Sequence, residues 1–587
     1  MRIARSAGGF FAAAVLVSSP PLALAVETGP FRVAVESAVK VPMKDGVDLA
    51  ADVYRPLGDG PFPVLLQRTP YSRRQPRTGT LLASHGYVVV LQDVRGRYES
   101  KGDFYPFRHE ADDGYDTVEW AAALPYSNGK VGMFGGSYVG ATQMLAAMAK
   151  PPHLVAIHPY VTASEYYEGW TYQGGALMEW FTSSWAARLA IDTLDRRSAG
   201  PEAAAGWLEG APVTTHRILQ LPSLADLVPY YRDWVEHETS DEYWRATRVS
   251  DHYGDMSVKG LHQTGWHDIF VRGAIENYMG LRQKAATPAA REGQRLTIGP
   301  WAHWETSPEG KVGDVVFGKE AVVDDIDVLL RWSAYTLKDE ANEYAAGPPV
   351  RIFVMGDNVW RAEPEFPLAR ARATRYYLHS GGGANGVAGD GKLSTDGPRR
   401  EQPDRFAYDP AQPVPTLGGR LCCGPAHLPG PADQRPNESR TDVLVYSTPP
   451  LPRDVEVTGF ITAEVFAATS ATDTDFTAML VDVDPSGYAR YLADGIVRGR
   501  YRASRSKAEP VEPGRIEKYE IDLWATSNVF KAGHRLRLYV SSSNSPRFSR
   551  NPNGAPEGSA EVIKASQTVY HDGAHPSALI LPVVPRP

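Results

Sequence analysis

Cysteine is almost missing from this sequence: two residues in 587, and they are neighbours, Cys422 and Cys423. Adjacent cysteines bridge only through a strained eight-membered ring outside the usual disulfide geometry, and two thiolates alone make a poor metal site. No disulfide framework is therefore expected, and packing must hold the fold together. An excess of positive charge is lacking too. Against 61 Lys and Arg stand 69 Asp and Glu, a formal net charge of −8, which gives no electrostatic reason to bind nucleic acid or an anionic membrane. Fifteen histidines are too scattered to suggest a metal cluster, so neither metal nor cofactor is expected. No internal repeat is found, and past the N-terminus no run approaches the ~20 apolar residues of a membrane-spanning helix.

What is present has ordinary globular proportions, 43% hydrophobic and 22% charged residues, in a chain too long for one core. The first 25 residues read as a signal peptide. Arg2 and Arg5 form a basic start, residues 10–17 (FFAAAVLV) an apolar run, and Ala23-Leu24-Ala25 a small-residue cleavage site. The alternative is an uncleaved anchor, although the apolar run is short for one. The expectation is an exported protein, periplasmic or extracellular, without stable membrane insertion.

Three compositional regimes follow. Residues 31–164 and 259–345 alternate short apolar runs, such as Val64-Leu65-Leu66 and Tyr87-Val88-Val89-Val90-Leu91, with helical patterns. This indicates a mostly parallel sheet covered on both faces. Residues 165–258 are rich in Trp, Tyr and Ala at helical spacing and read as a cap insertion. From 346 to 587 short strands separated by Gly/Pro-rich turns indicate an all-β sandwich or jelly roll, with Arg351-Ile352-Phe353-Val354-Met355 as its first strand. The expected fold class is thus α/β: a mostly parallel α/β core with a helical cap insertion, followed by an all-β jelly-roll domain.

The chemistry is concentrated in residues 130–140, KVGMFGGSYVG. An apolar strand meets a tight glycine turn with Ser137 at its apex, and a helical run follows. Such an elbow exposes a serine oxygen and aims a helix N-terminus at charge developing in acyl transfer. The motif departs from strict G-x-S-x-G, because Val139 precedes the late Gly140. A serine nucleophile needs a base, and the base needs a carboxylate to orient it. The elbow points to an α/β-hydrolase core, in which the chain order is Ser, acid, His. Asp268 lies just beyond the strand-like 260–265. His303 lies on a loop begun by Pro300 after the strand-like 295–298. His267, beside Asp268, is the rival base.

These motifs, in this order over nearly the whole chain beyond residue 35, resemble the cocaine esterase and X-Pro dipeptidyl-peptidase-like hydrolases (CocE/NonD family). Further matches are Arg68-Thr69-Pro70-Tyr71, Gln92 to Arg97 (QDVRGR), Pro415 to Gly419 (PTLGG) and Ser541-Ser542-Ser543-Asn544. The late glycine is usual in that family. The resemblance implies Ser137 as nucleophile, His303 as general base and Asp268 as its orienting acid. It implies Tyr71 as an oxyanion-hole hydroxyl with the Tyr138 backbone N–H as second donor.

The substrate is less legible. Tyr166, Tyr167, Trp170, Tyr172, Trp180 and Phe181 would line an apolar or aromatic acyl pocket or simply pack the cap on the core. Tyr167, Trp170 and Trp266 are taken as substrate-binding candidates. The expected substrate is a small ester or amide, with a short peptide or other free-amine substrate as the alternative through Glu165 or Glu168. The related α-amino-acid ester hydrolases are expected to carry a Glu-Asp pair soon after the triad aspartate, but here Ile269-Phe270-Val271 follows. A carbohydrate-binding protein with a decayed site is the rival class. A homodimer is left open. Three further features read as structural. These are the calcium-loop-like Asp473-Thr474-Asp475 and Asp482-Val483-Asp484, and Arg95 with Arg97. Asn437-Glu438-Ser439 is only a formal glycosylation sequon.

Overall fold

The structure, a computed structural model, describes residues 28–196, 227–303, 307–424, 426–555 and 563–586. The expected signal peptide and residues 197–226 of the expected cap lie outside the described residues.

Among the described residues the first sheet has ten strands. In spatial order they are Arg32–Pro42, Asp48–Leu57, Val88–Asp93, Phe62–Thr69, Ser127–Gly136, Leu154–Tyr160, Lys259–Gly265, Gln294–Gly299, Val350–Val354 and Val359–Glu363. From Val88–Asp93 to Val350–Val354 neighbours pair in parallel; the flanks are antiparallel. The strands Phe62–Thr69 and Val88–Asp93 are apolar on both faces because both faces are covered. Leu65, Val89 and Leu91 pack with Leu82 of the Pro76–Ser84 helix and with Leu329 and Leu337 of the Asp325–Leu337 helix. Their neighbours Val64, Leu66, Val88 and Val90 join Val118 and Met144 of the Glu110–Ala122 and Tyr138–Met148 helices. The period of two thus distributes one apolar run between two layers.

The second sheet is separate, all-β and, among the described residues, eleven-stranded. Its long strand Val455–Thr469 pairs antiparallel with Glu517–Phe530, Ala565–Tyr570 and Ala578–Val584. Between the halves of the α/β unit the described chain is mainly helical, with Glu179–Arg196, Pro229–Glu236 and Glu242–Arg245.

Two expectations are corrected. The run expected to open the all-β part, 351–355, instead extends the first sheet. Val350–Val354 pairs in parallel with Gln294–Gly299 and hairpins to Val359–Glu363, so the first sheet reaches residue 363 and not 345. A short, largely buried apolar run such as this, exposed only at Arg351, looks the same in a parallel sheet and in a sandwich core. Second, Cys422 and Cys423 are disulfide-bonded. Neighbouring side chains of an extended chain point to opposite sides, and the left-handed backbone at Cys423 (φ 77°) breaks that alternation. Joining adjacent residues closes no long loop, so the bond stiffens one turn without stapling the fold.

The set-aside acidic motifs are charge-balanced. Asp473 pairs with Arg500 at 2.7 Å and Asp475 with Arg498 at 3.0 Å. Asp482 pairs with Arg490 at 2.6 Å and His534 at 2.8 Å. Asn437, in the sequon, is buried and donates to the Pro415 carbonyl at 3.1 Å. The hydrogen bond to Asp482 raises the His534 pKa above its usual value, against desolvation. A raised folded-state pKa stabilises below the unfolded-state value of about 6.5 and ceases to do so as pH rises through the folded-state value. His534→Gln should therefore lower the urea midpoint near pH 5 but not near pH 9. Because His534 is partly exposed, the difference should stay at about 1 kcal/mol or less.

Candidate active site

Ser137 sits between the Ser127–Gly136 strand and the Tyr138–Met148 helix with φ 60° and ψ −127°, a backbone conformation costly for a side-chain-bearing residue. Its surroundings leave it no alternative. The Ser137 N–H donates to the Tyr160 carbonyl at 3.0 Å, and its own carbonyl accepts from the Gly140 and Ala141 N–H groups. Gln143 braces the turn by donating to the Gly135 and Val139 carbonyls while accepting from the His158 N–H. The late glycine has a packing reason. A Cβ on Gly140 would lie 2.8 Å from that of Thr162, and one on Gly136 would lie 2.1 Å from the Tyr160 ring.

Asp268 and His303 arrive from the two neighbouring strands. Lys259–Gly265 and Gln294–Gly299 pair in register to Gly265↔Gly299. Their loops continue the ladder, with the Trp266 N–H on the Gly299 carbonyl and the His267 N–H on the Trp301 carbonyl, both at 2.9 Å. This zipped pair of loops places Asp268 Oδ1 2.8 Å from His303 Nδ1, and His303 Nε2 lies 3.0 Å from Ser137 Oγ. Asp268 Oδ2 accepts from the Thr264 hydroxyl at 2.8 Å. All three side chains are almost fully buried. The rival base His267 is buried near Phe317 and Tyr491, and desolvation lowers its pKa well below the usual value, so it is neutral.

Tyr71 follows the Phe62–Thr69 strand, and its ring is partly buried. Its oxygen accepts from the Trp185 indole N–H at 2.8 Å, and the Ser137 side chain lies near its hydroxyl. Burial raises the phenol pKa; the indole N–H, the Arg188 guanidinium and Ser137 act in the opposite sense. The phenol is thus protonated at neutral pH. Arg97 fixes this loop, donating to the Pro70 carbonyl and to Leu189 in the cap helix, both at 3.0 Å. Arg95 is taken up by Asp113 at 2.6 Å. Tyr138 is buried, its hydroxyl donating to Glu110 at 2.7 Å. As the first helical residue it leaves its backbone N–H without an intrahelical acceptor.

The other three candidates occupy different surroundings. Trp170 stacks on Phe270 at 4.5 Å between ring centroids, and Phe270 lies edge-on to His303 at 5.2 Å. Tyr167 stacks on Tyr172, and its hydroxyl donates to the Glu238 carbonyl. The Trp266 indole donates to the Phe353 carbonyl at 2.7 Å and packs near Phe366. All three are at most 1% exposed, so in this conformation their rings pack the cap and the junction between the sheets. Sequence reasoning missed Phe270 and Trp185, which touch His303 and Tyr71. Phe270 directly follows the Asp268 motif, but the reach of Trp185 from the cap helix has no local signal.

The family comparison agrees with this architecture. Residues 45–305 match the X-Pro dipeptidyl-peptidase (S15 family), and residues 342–580 match the X-Pro dipeptidyl-peptidase C-terminal non-catalytic domain. The cocaine esterase of Rhodococcus sp. (strain MB1 Bresler) is 39% identical over 94% of this chain and 99% of its own. The chain belongs to the CocE/NonD family of serine hydrolases. Two solved structures resemble this CocE/NonD hydrolase at a TM-score of 0.78 and 26% identity, each over 97% of this chain. One is an aminopeptidase from a marine sediment Thaumarchaeota archaeon, covered over 99%; the other is an α-amino acid ester hydrolase, covered over 100%.

The zipped loops carry a test. A Cβ on Gly265 would lie 2.1 Å from the Trp301 carbonyl oxygen, a backbone atom that can yield only by separating the loops bearing Asp268 and His303. Gly265→Ala should therefore lower kcat on an aryl ester by roughly 10²-fold, the scale of misplacing a catalytic group by about 1 Å. The fold should survive, as checked by circular dichroism.

Proposed function

We propose that this hydrolase cleaves carboxylic esters, and more slowly amides, of small apolar or aromatic acyl groups through an acyl-enzyme on Ser137. The observation that carries the reading is the buried hydrogen-bonded chain from Asp268 through His303 to Ser137, with the Tyr71 hydroxyl beside the serine. Ser137 Oγ attacks the carbonyl carbon while His303 Nε2 takes its proton. Asp268 holds the Nδ1–H tautomer and favours the imidazolium that forms. The oxyanion is received by the Tyr71 hydroxyl and the Tyr138 N–H. Because the tyrosine oxygen already accepts from Trp185, its own proton is available to donate. His303 then protonates the leaving group, and water attacks the acyl-enzyme by the same relay. The N-terminal segment fits an exported enzyme.

Apolar acyl groups are favoured over free amines by where the carboxylates are engaged. Glu165 pairs with Arg248 at 2.9 Å, and burial raises its pKa to about 7. Glu168 lies 3.5 Å from Arg272 and accepts from the Gly174 N–H. Past Asp268, Ile269, Phe270 and Val271 are fully buried and uncharged. An α-ammonium group would find no unengaged acceptor among these.

Ser137→Ala should abolish hydrolysis of a chromogenic aryl ester and labelling by a fluorophosphonate; wild-type activity in that variant would refute the assignment. Tyr71→Phe should retain labelling and lose ~10²–10³ in kcat with little change in KM. Across aryl esters, aminoacyl esters and Xaa-Pro anilides, kcat/KM should be highest for uncharged acyl groups. A preference for free-amine substrates would transfer the chain to the peptidase-like reading.

A further inference from the structure

The Cys422–Cys423 pair has no part in the mechanism above, yet it lies against the catalytic base. The two sulfurs and a ring nitrogen of His303 lie within 4.8 Å of one another. The pair sits on a loop that the all-β part extends towards the α/β unit. Arg420, fully buried, anchors this loop by donating to the carbonyls of Leu523 and Ala525 at 2.8 Å and of Trp266 at 3.3 Å. On its other side Gly424 packs against Trp180, where a Cβ would lie 2.4 Å from the indole. The loop is therefore held at both ends, whatever the state of its sulfurs. Cys422 is buried and Cys423 partly exposed, so a small thiol reductant can reach the bond at Cys423.

We propose that this pair is a redox-gated inhibitory site for a thiophilic divalent cation such as zinc, with His303 as its third ligand. The proposal rests on the reading of His303 as general base. In the oxidised protein the sulfurs are bonded to each other and offer no thiolate. A dithiol reductant delivers two electrons: the Cys422–Cys423 bond breaks, two thiols form, and the reductant becomes its own disulfide. One zinc ion then displaces both thiol protons and takes the Nε2 lone pair of His303, replacing the hydrogen bond from Ser137. Tetrahedral Zn–S and Zn–N bonds of ~2.3 and ~2.0 Å place the ligand atoms about 3.5–3.8 Å apart, which these three groups reach by moving about 1 Å each. One feature favours the site: the Asp268–His303 hydrogen bond is the carboxylate–imidazole arrangement that orients metal-bound histidines. Zinc held there removes the base, so hydrolysis stops until the metal is withdrawn.

The test uses the full-length protein, oxidised or reduced with dithiothreitol that is then removed anaerobically by gel filtration. Reduced protein should show two thiols by Ellman titration. It should bind one equivalent of cobalt(II) with a thiolate-to-metal absorption band, and zinc should displace the cobalt. Aryl-ester hydrolysis by reduced protein should fall ~10²-fold or more with stoichiometric zinc, the scale of losing a general base, and recover with a chelator. The oxidised protein should bind no cobalt with a thiolate band and keep its activity in zinc. Cys422→Ser/Cys423→Ser should have the same rate with and without zinc, and His303→Ala should weaken cobalt binding at least tenfold. The proposal is overturned by any of three results: no thiols after reduction, no thiolate band, or a band that His303→Ala leaves unchanged. Because cobalt binding is read without substrate, an oxidised protein that hydrolyses no ester would count against the proposed function alone.

Discussion

The register between two parallel strands, Lys259–Gly265 and Gln294–Gly299, governs the whole site. A one-residue slip would turn every side chain to the opposite face and carry Asp268 and His303 apart. The slip is resisted by the burial of Leu261 on one face and of Leu296 and Ile298 on the other, and by the two ladder bonds that continue into the loops. Each hydrogen bond contributes only about 1 kcal/mol net. Together they hold a contact of 2.8 Å between groups 35 residues apart. The neighbouring strand, Leu154–Tyr160, completes the frame, because its last carbonyl holds the amide of Ser137 and so keeps the elbow in its costly conformation.

Around this frame buried arginines connect the parts of the molecule. Arg97 joins the Tyr71 loop to the cap helix, Arg420 joins the all-β sheet to the loop before Asp268, and Arg68 pairs with Glu110 beneath Tyr138. A buried cation is costly unless its donors are satisfied. Arg97 and Arg420 meet that cost with backbone carbonyls at fixed positions, so each one ties down the geometry of two segments at once. Aromatic packing adds the apolar share. Trp170, Phe270, Phe181 and Trp185 form one cluster between the cap and His303. Full burial of side chains of this kind is worth roughly 1.5–3 kcal/mol each. The all-β part is thus a contributor to the site, both through Arg420 and through the loop that carries Cys422 and Cys423.

Much of this was legible in the chain. The glycines around Ser137, the strand-end positions of Asp268 and His303, and Pro70 before Tyr71 are local signals whose chemistry needs no partner to be recognised. The alternation of apolar strands with helical patterns was enough to identify an α/β unit followed by an all-β one. The sheet boundary was misplaced because 350–354 is a short apolar run, buried except at Arg351, and carries no mark of which sheet it will join. Tyr167, Trp170 and Trp266 looked like pocket aromatics because composition states what a side chain is made of and is silent on what it will pack against.

The sequence by itself determined the fold class, the order of the chemical groups and the strained turn at Ser137, since each follows from spacing and local backbone preference. Only the tertiary structure decided which groups meet. It brought Trp185 to Tyr71, Phe270 to His303, and Arg420 to the carbonyl two residues before Asp268. It also turned two adjacent cysteines, in sequence a poor metal site, into neighbours of a third donor 119 positions away from Cys422. The reason is physical: a contact between distant segments depends on sheet register and on packing across layers, and neither is encoded in any single stretch of chain.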